Sequence, residues 1–164
     1  MRRISIPITP ERELSRMQSL CSRSEISSGE ALTKMLRRGL NVAEAKQIVE
    51  KLEAMRFIDD RRFAGAFTRE KACICRWSKR KIVNALMVKG VARDIISEAV
   101  AEIDPQTFAE SLAHALSVKI KYHPELADTR EGRLKLYAYG VRSGFPSSDV
   151  AAALRKIAQD RKNG

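Results

Sequence analysis

Apolar residues recur at intervals of three and four over long stretches of the chain, as one buried face of a helix requires, and no segment alternates convincingly between apolar and polar positions. Proline falls only at positions 7, 10, 105, 124 and 146, so helical periodicity has long uninterrupted runs in which to form. Residues 1–8 lack the pattern and are expected to be a short extended or disordered lead. The pattern therefore predicts an all-α protein.

Three of the apolar stretches align without gaps: LTKMLRRGLNVAEAKQIVEKL around Gly39, IVNALMVKGVARDIISEAVAEI around Gly90, and LYAYGVRSGFPSSDVAAALRKI around Gly144. Three residues before the glycines stand Leu36, Met87 and Val141, and one after them Leu40, Val91 and Phe145. Ten after them stand Val49, Val100 and Leu154, and thirteen after them Leu52, Ile103 and Ile157. A helix often ends on a residue in the left-handed conformation, where glycine has no Cβ penalty, with an apolar residue just beyond folding back on the last turn. Each copy thus reads as helix, tight turn, helix.

Upstream of each copy there is room for one more helix, over residues 10–22, 59–75 and 105–122. Thr9-Pro10 and Asp104-Pro105 are good helix starts, a capping side chain followed by proline at the first helical position. Ser27 with Glu30, and Asn41 with Glu44, have capping-box spacing, and Ser78 is placed to cap the helix that follows it. Nine helices in three tandem three-helix repeats are expected, with bounds 9–56, 57–103 and 104–164.

The segment FIDDRRFAGAF, beginning at Phe57, sets two carboxylates in front of an apolar run. A catalytic acid pair would also need a pocket and a further polar partner, which the sequence does not supply. A helix start accounts for both acids: Asp59 as N-cap, Asp60 in the first turn near the positive end of the dipole, and Ile58 with Phe63 as a hydrophobic staple.

Charge changes the picture next. Of the 164 residues 31 are Lys or Arg and 20 Asp or Glu, a formal net charge of +11. The excess is concentrated: from Arg56 to Arg93, eleven bases face only Asp59, Asp60 and Glu70, a net +8. Such a field favours a polyanionic partner, either nucleic acid or an acidic protein surface. The candidate contacts are Arg61, Arg62, Arg69, Arg76, Lys79, Arg80, Lys81, Lys89 and Arg93, together with Trp77, the only tryptophan, in RWSKRK. Trp77 either stacks on a base or anchors an interface, or it plugs the join between two helices.

Phosphate-cradling glycine loops, His-Glu-x-x-His and serine elbows do not occur, so no catalytic residue is expected and the protein is not read as an enzyme. Cys21, Cys73 and Cys75 with His114 and His123 make no metal-ligand spacing, so neither metal nor cofactor is expected, and the thiols read as buried or reduced. No apolar run is long enough for a membrane span or a signal peptide, which points to a cytoplasmic protein without a membrane partner, read here as a monomer.

These residues resemble the RecX family of regulators of the RecA recombinase. The resemblance is carried by Phe57, Ile58, Asp59, Asp60, Arg62, Phe63 and Ala64, then by Lys81, Ile82, Leu86, Lys89, Gly90 and Val91, and extends over residues 14–157. Many members have a Gly-x-Gly turn where this chain has Cys75-Arg76-Trp77-Ser78, and Ser143 stands where a basic residue is usual. The resemblance implies an elongated, curved array of the three repeats lying in the groove of a RecA filament on single-stranded DNA. It implies restraint of ATP hydrolysis, strand exchange and co-protease activity by non-covalent occupancy, with any binding of free DNA weak. From the residues alone, helix-turn-helix DNA binding by a transcriptional regulator is the alternative, against which the threefold repetition argues. Hidden enzymatic chemistry, such as that of a nuclease, is the third.

Overall fold

The computed structural model describes residues 8–163, so all of the expected lead 1–8 except Ile8 lies outside the described residues. Among the described residues every regular element is helical: α1 (Pro10–Cys21), α2 (Ser28–Arg37), α3 (Val42–Ala54), α4 (Asp60–Arg69), α5 (Lys79–Val88), α6 (Arg93–Ala101), α7 (Pro105–Tyr122), α8 (Glu125–Asp128), α9 (Arg130–Arg142) and α10 (Ser147–Asn163). The fold class is all-α. Relative to the nine expected helices, the one-turn α8 is an addition, and α4 is prolonged by a π-helical turn, Glu70–Ile74.

Local chemistry explains the helix ends. Thr9 caps α1 by accepting from the Arg12 amide, and Asp104 caps α7 by accepting from the Gln106 amide, each with proline in the first turn. Ser27 and Glu30 form a complete capping box on α2, and Asn41 Oδ1 accepts from the Glu44 amide at 2.9 Å. Gly39, Gly90 and Gly144 all take positive φ, at 101°, 75° and 96°. At each, the glycine amide donates three residues back, and the next residue donates five back: Leu40 to Met35, Val91 to Leu86, Phe145 to Gly140. This is the Schellman motif three times over, and in it the apolar residue past the glycine packs on the residue five before it.

That geometry corrects one detail of the alignment. Leu36 and Met87, three before the glycines, are 36% and 42% exposed, whereas Met35 and Leu86, one position earlier, are fully buried.

Compactness groups the chain into two units, one of residues up to Ala66 with Leu86–Ser97, the other of Phe67–Ala85 with Glu98 onward. In the first unit Met17, Ile26, Ala31, Met35, Leu40, Ala45, Ile48, Leu52 and Ile58 form a continuous core. Glu13 is buried beside it, 2% exposed, and its carboxylate is held by Arg16 and by Arg38 Nε at 3.1 Å. Burial pushes this carboxyl up, but the two guanidinium hydrogen bonds outweigh burial and hold it below the ordinary carboxylate range. In the second unit Leu112, Leu116, Leu136, Phe145 and Val150 make the core.

Within each unit one serine fastens a helix start to the glycine turn of the next repeat. In the first, Ser27 Oγ donates to the Lys89 carbonyl at 2.5 Å, and Gly29 lies so close to Gly90 that a methyl group on Gly29 would meet the Gly90 Cα at 2.6 Å. Asp60 completes the seam by accepting from the Ser28 amide at 2.7 Å and the Ser28 hydroxyl at 2.5 Å. In the second unit Ser78 Oγ donates to the Ser143 carbonyl at 2.8 Å, beside Gly144. Both serines stand twelve residues before their own repeat's glycine; the corresponding residue of the third repeat is Gly132, and there the backbone of α8 lies against it, with Leu126 O 2.5 Å from where a side chain would begin.

Candidate nucleic-acid interface

The candidate contacts divide between the two units. Arg61, Arg62, Lys89 and Arg93 belong to the first, and Arg69, Arg76, Trp77, Lys79, Arg80 and Lys81 to the second.

In the first unit much of the charge is engaged within the protein. Arg62 makes a two-pronged pair with Glu25, Nε–Oε1 2.7 Å and Nη2–Oε2 3.1 Å, which raises its guanidinium pKa. Lys89 Nζ pairs with Glu30 at 2.6 Å and sits 5.7 Å from the Phe63 ring centroid, while its carbonyl takes the Ser27 hydroxyl. Lys89 is therefore part of the seam. Phe63 and Ile58 are both buried; Asp59 Oδ1 accepts from the Arg62 amide at 2.9 Å and caps α4. Arg61 and Arg93 are exposed.

In the second unit the site is made by an irregular helix end. Past Arg69, the Cys75 amide reaches the Glu70 carbonyl five residues back at 3.1 Å, the widened pitch of a π turn. Arg76 then takes φ 54°, in the left-handed region that a residue with a Cβ enters only at a cost, and the Trp77 amide closes back on the Lys71 carbonyl at 2.9 Å. The fold-back brings the Trp77 ring edge-on to Phe67, centroids 6.3 Å apart at 79°. Lys71 Nζ lies 5.3 Å from the Trp77 centroid and 5.4 Å from that of Phe67, and Lys81 Nζ lies 4.2 Å from Trp77. The Glu70 carboxylate, 2.6 Å from Lys71 Nζ, raises the pKa of that ammonium, so it stays charged across the neutral range.

Lys79, Arg80 and Lys81 occupy the first turn of α5, which contains no acid. Cations at the positive end of a helix dipole are locally unfavourable, and such departures concentrate where a ligand supplies the missing anion. Arg80, exposed like Lys79 and Lys81, gives one N–H to the Val141 carbonyl at 2.8 Å, whereas the two lysines meet no acid among the described residues. Arg69 meets Glu102 at 3.5 Å in an exposed pair.

Sequence reasoning did not single out Phe67 and Lys71 as site residues. Their place under Trp77 depends on the π turn and on Arg76, neither of which has a periodic signal. It also left open whether Trp77 plugs a join or faces a partner; the ring is half-buried, edge-on to Phe67, with Lys71 and Lys81 beside it. The cysteines are free, Cys73 and Cys75 exposed and Cys21 half-buried. His114 is exposed, and His123 ends α7 with Nδ1 3.4 Å from Glu125. Among the described residues no cluster of metal-ligating side chains forms, and no helix is long and apolar enough to cross a membrane.

Comparison with known proteins places this architecture. Residues 59–100 match the family model described as RecX, second three-helix domain. The regulatory protein RecX of Chlorobium phaeobacteroides is 32% identical over 139 residues, 84% of this chain and 88% of the relative; that of Prosthecochloris aestuarii is 30% identical, with 81% and 85% covered. The crystal structure of RecX from Lactobacillus salivarius superposes with a TM-score of 0.78 over 90% of this chain and 96% of that one, at 15% identity, a likeness of fold. With repeats, seams and an extended sequence match agreeing, the chain belongs to the RecX family of regulatory proteins.

Proposed function

We propose that the protein regulates a RecA recombinase by binding its filament on single-stranded DNA and inhibiting ATP hydrolysis, strand exchange and co-protease activity by occupancy alone. The observation that carries this reading is the edge around Trp77, where Lys71 and Lys81 flank a half-buried aromatic pair and Lys79 adds an exposed cation at a helix start that lacks its usual acid. Family membership supplies the class of partner. The repeats, taken as 9–56, 57–103 and 104–164, offer several weak contacts on one scaffold, and each contact after the first forms at high effective concentration. The protein acts as a cytoplasmic monomer and needs no cofactor.

The test is a titration into RecA-driven, single-strand-dependent ATP hydrolysis, with direct binding to the same DNA without RecA as control. Lys79→Glu with Lys81→Glu should weaken inhibition about tenfold or more, the effect of roughly 1.4 kcal/mol in lost contacts. Helicity should be retained, because acids suit the first turn of α5. Unchanged inhibition at physiological salt would remove this surface from the mechanism, and preference for one duplex sequence would replace the recombinase reading with that of a transcriptional regulator.

A further inference from the structure

A second cationic site lies away from the Trp77 edge, between α7 and α9. Lys119 and His123 are spaced by four along α7 and its C-terminal cap, and Lys135, Tyr139 and Arg142 by four and three along α9, so each set shares one helical face. The two faces line a cleft of about 340 Å3 with Leu126 and Leu136 among its walls. That volume falls in the lower part of the range for small-molecule sites, about 300–1,000 Å3. No carboxylate lines it.

The cations are held in place but are not neutralised within the cleft. Lys119 Nζ rests 5.6 Å from the Tyr139 ring centroid, which orients the ammonium without cancelling its charge. Lys135 pairs with Glu131 at 2.9 Å and His123 faces Glu125 at 3.4 Å, both in exposed pairs that an incoming dianion can displace at small cost. Among the described residues no acid lies within ion-pair distance of Arg142 or Lys119. Three permanent cations around leucine and tyrosine surfaces match a ligand that is anionic at one end and flat and apolar at the other.

We infer that this cleft binds a nucleoside phosphate, with the phosphate on Arg142, Lys119 and Lys135 and the base against Leu126 and the Tyr139 ring. The chemistry is shared by a free nucleotide and by one nucleotide of a single strand. The site does not depend on the recombinase reading.

The experiment is calorimetric titration of the full chain with ATP, with inorganic phosphate and with a short oligothymidylate, the last in the Lys79→Glu with Lys81→Glu background so that the Trp77 edge contributes least. ATP should bind wild type more tightly than inorganic phosphate does. Arg142→Ala and Lys119→Ala should each weaken binding about tenfold, as loss of one charge-assisted contact does, while Lys81→Glu leaves ATP binding unchanged. Arg142 is exposed and Lys119 half-buried, outside the apolar core, and circular dichroism should show unaltered helicity. Binding of ATP with this pattern identifies a free-nucleotide site. Binding of the oligomer alone, with the same sensitivity to Arg142→Ala and Lys119→Ala, identifies a strand-binding site. The inference is overturned if neither probe binds, if the two alanine variants bind as wild type does, or if inorganic phosphate binds as tightly as the nucleotide.

Discussion

Asp59 and Asp60 are adjacent, and their carboxylates serve different helices. Asp59 accepts from the Arg62 amide and caps its own helix, whereas Asp60 accepts from both the amide and the hydroxyl of Ser28 at the start of α2. Losing a cap costs about 0.5–2 kcal/mol. Losing Asp60 also leaves the half-buried Ser28 donors unpaired, at about 1–3 kcal/mol. Urea unfolding should therefore rank Asp60→Ala as more damaging than Asp59→Ala, and the reverse order would show the seam to be the weaker element. Glu13 gives a pH-dependent counterpart. Its carboxyl pKa is depressed in the folded state, so it contributes stability that is present above the unfolded value, about 4.3, and lost as pH falls through the lower folded value. Glu13→Gln should cost about 1–3 kcal/mol at neutral pH, below the figure for a fully buried pair because Arg16 and Arg38 are partly exposed. The gap between variant and wild type should narrow in urea titrations as the pH is lowered past the unfolded value, about 4.3, and close once it falls through the lower folded value.

At the scale of the element, three glycines share one backbone conformation but not one environment. A methyl group on Gly39 would meet nothing closer than Ile8 Cδ1 at 4.0 Å, whereas on Gly90 it would strike the Gly29 Cα at 2.7 Å. Gly39→Ala should cost the left-handed penalty alone, about 1–2 kcal/mol. Gly90→Ala adds overpacking of backbone on backbone, typically about 1–3 kcal/mol more, so thermal melts should separate the two variants clearly. The seam is made by a serine hydroxyl on the carbonyl before each of the second and third glycines, Ser27 on Lys89 and Ser78 on Ser143. At the equivalent place in the third repeat Gly132 makes room for α8. Thr129, three residues earlier, supplies the cap there.

For the whole molecule, the net charge of +11 gives the field and the fold decides which cations remain available. Lys89, Arg62 and Arg80 have partners inside the protein, while Lys79 and Lys81 meet no acid among the described residues, Lys81 lying over the Trp77 ring. If binding to the nucleoprotein filament is electrostatic at this edge, inhibition should weaken as salt is raised, and the dependence should be shallower in Lys79→Glu with Lys81→Glu than in wild type. Equal salt dependence in the two proteins would assign the phosphate contacts to other cations. The overall charge predicted a polyanionic partner without distinguishing structural bases from free ones, because that distinction depends on which acid each base meets.

The sequence by itself determined the helical class, the threefold repetition, the caps and the left-handed glycine turns, since each depends on residues within about one helical turn of one another. It also pointed to the family, through the residues from Phe57 to Ala64 and from Lys81 to Val91. Only the tertiary structure decided what several of those residues touch: Asp60 meets Ser28 across 32 positions and Ser27 meets Lys89 across 62, distances at which no periodicity carries information. The same holds for Phe67 and Lys71 beneath Trp77 and for the cationic cleft of α7 and α9, because a side chain's partners across a packed interface are set by the fold-back of the backbone and not by its neighbours in the chain.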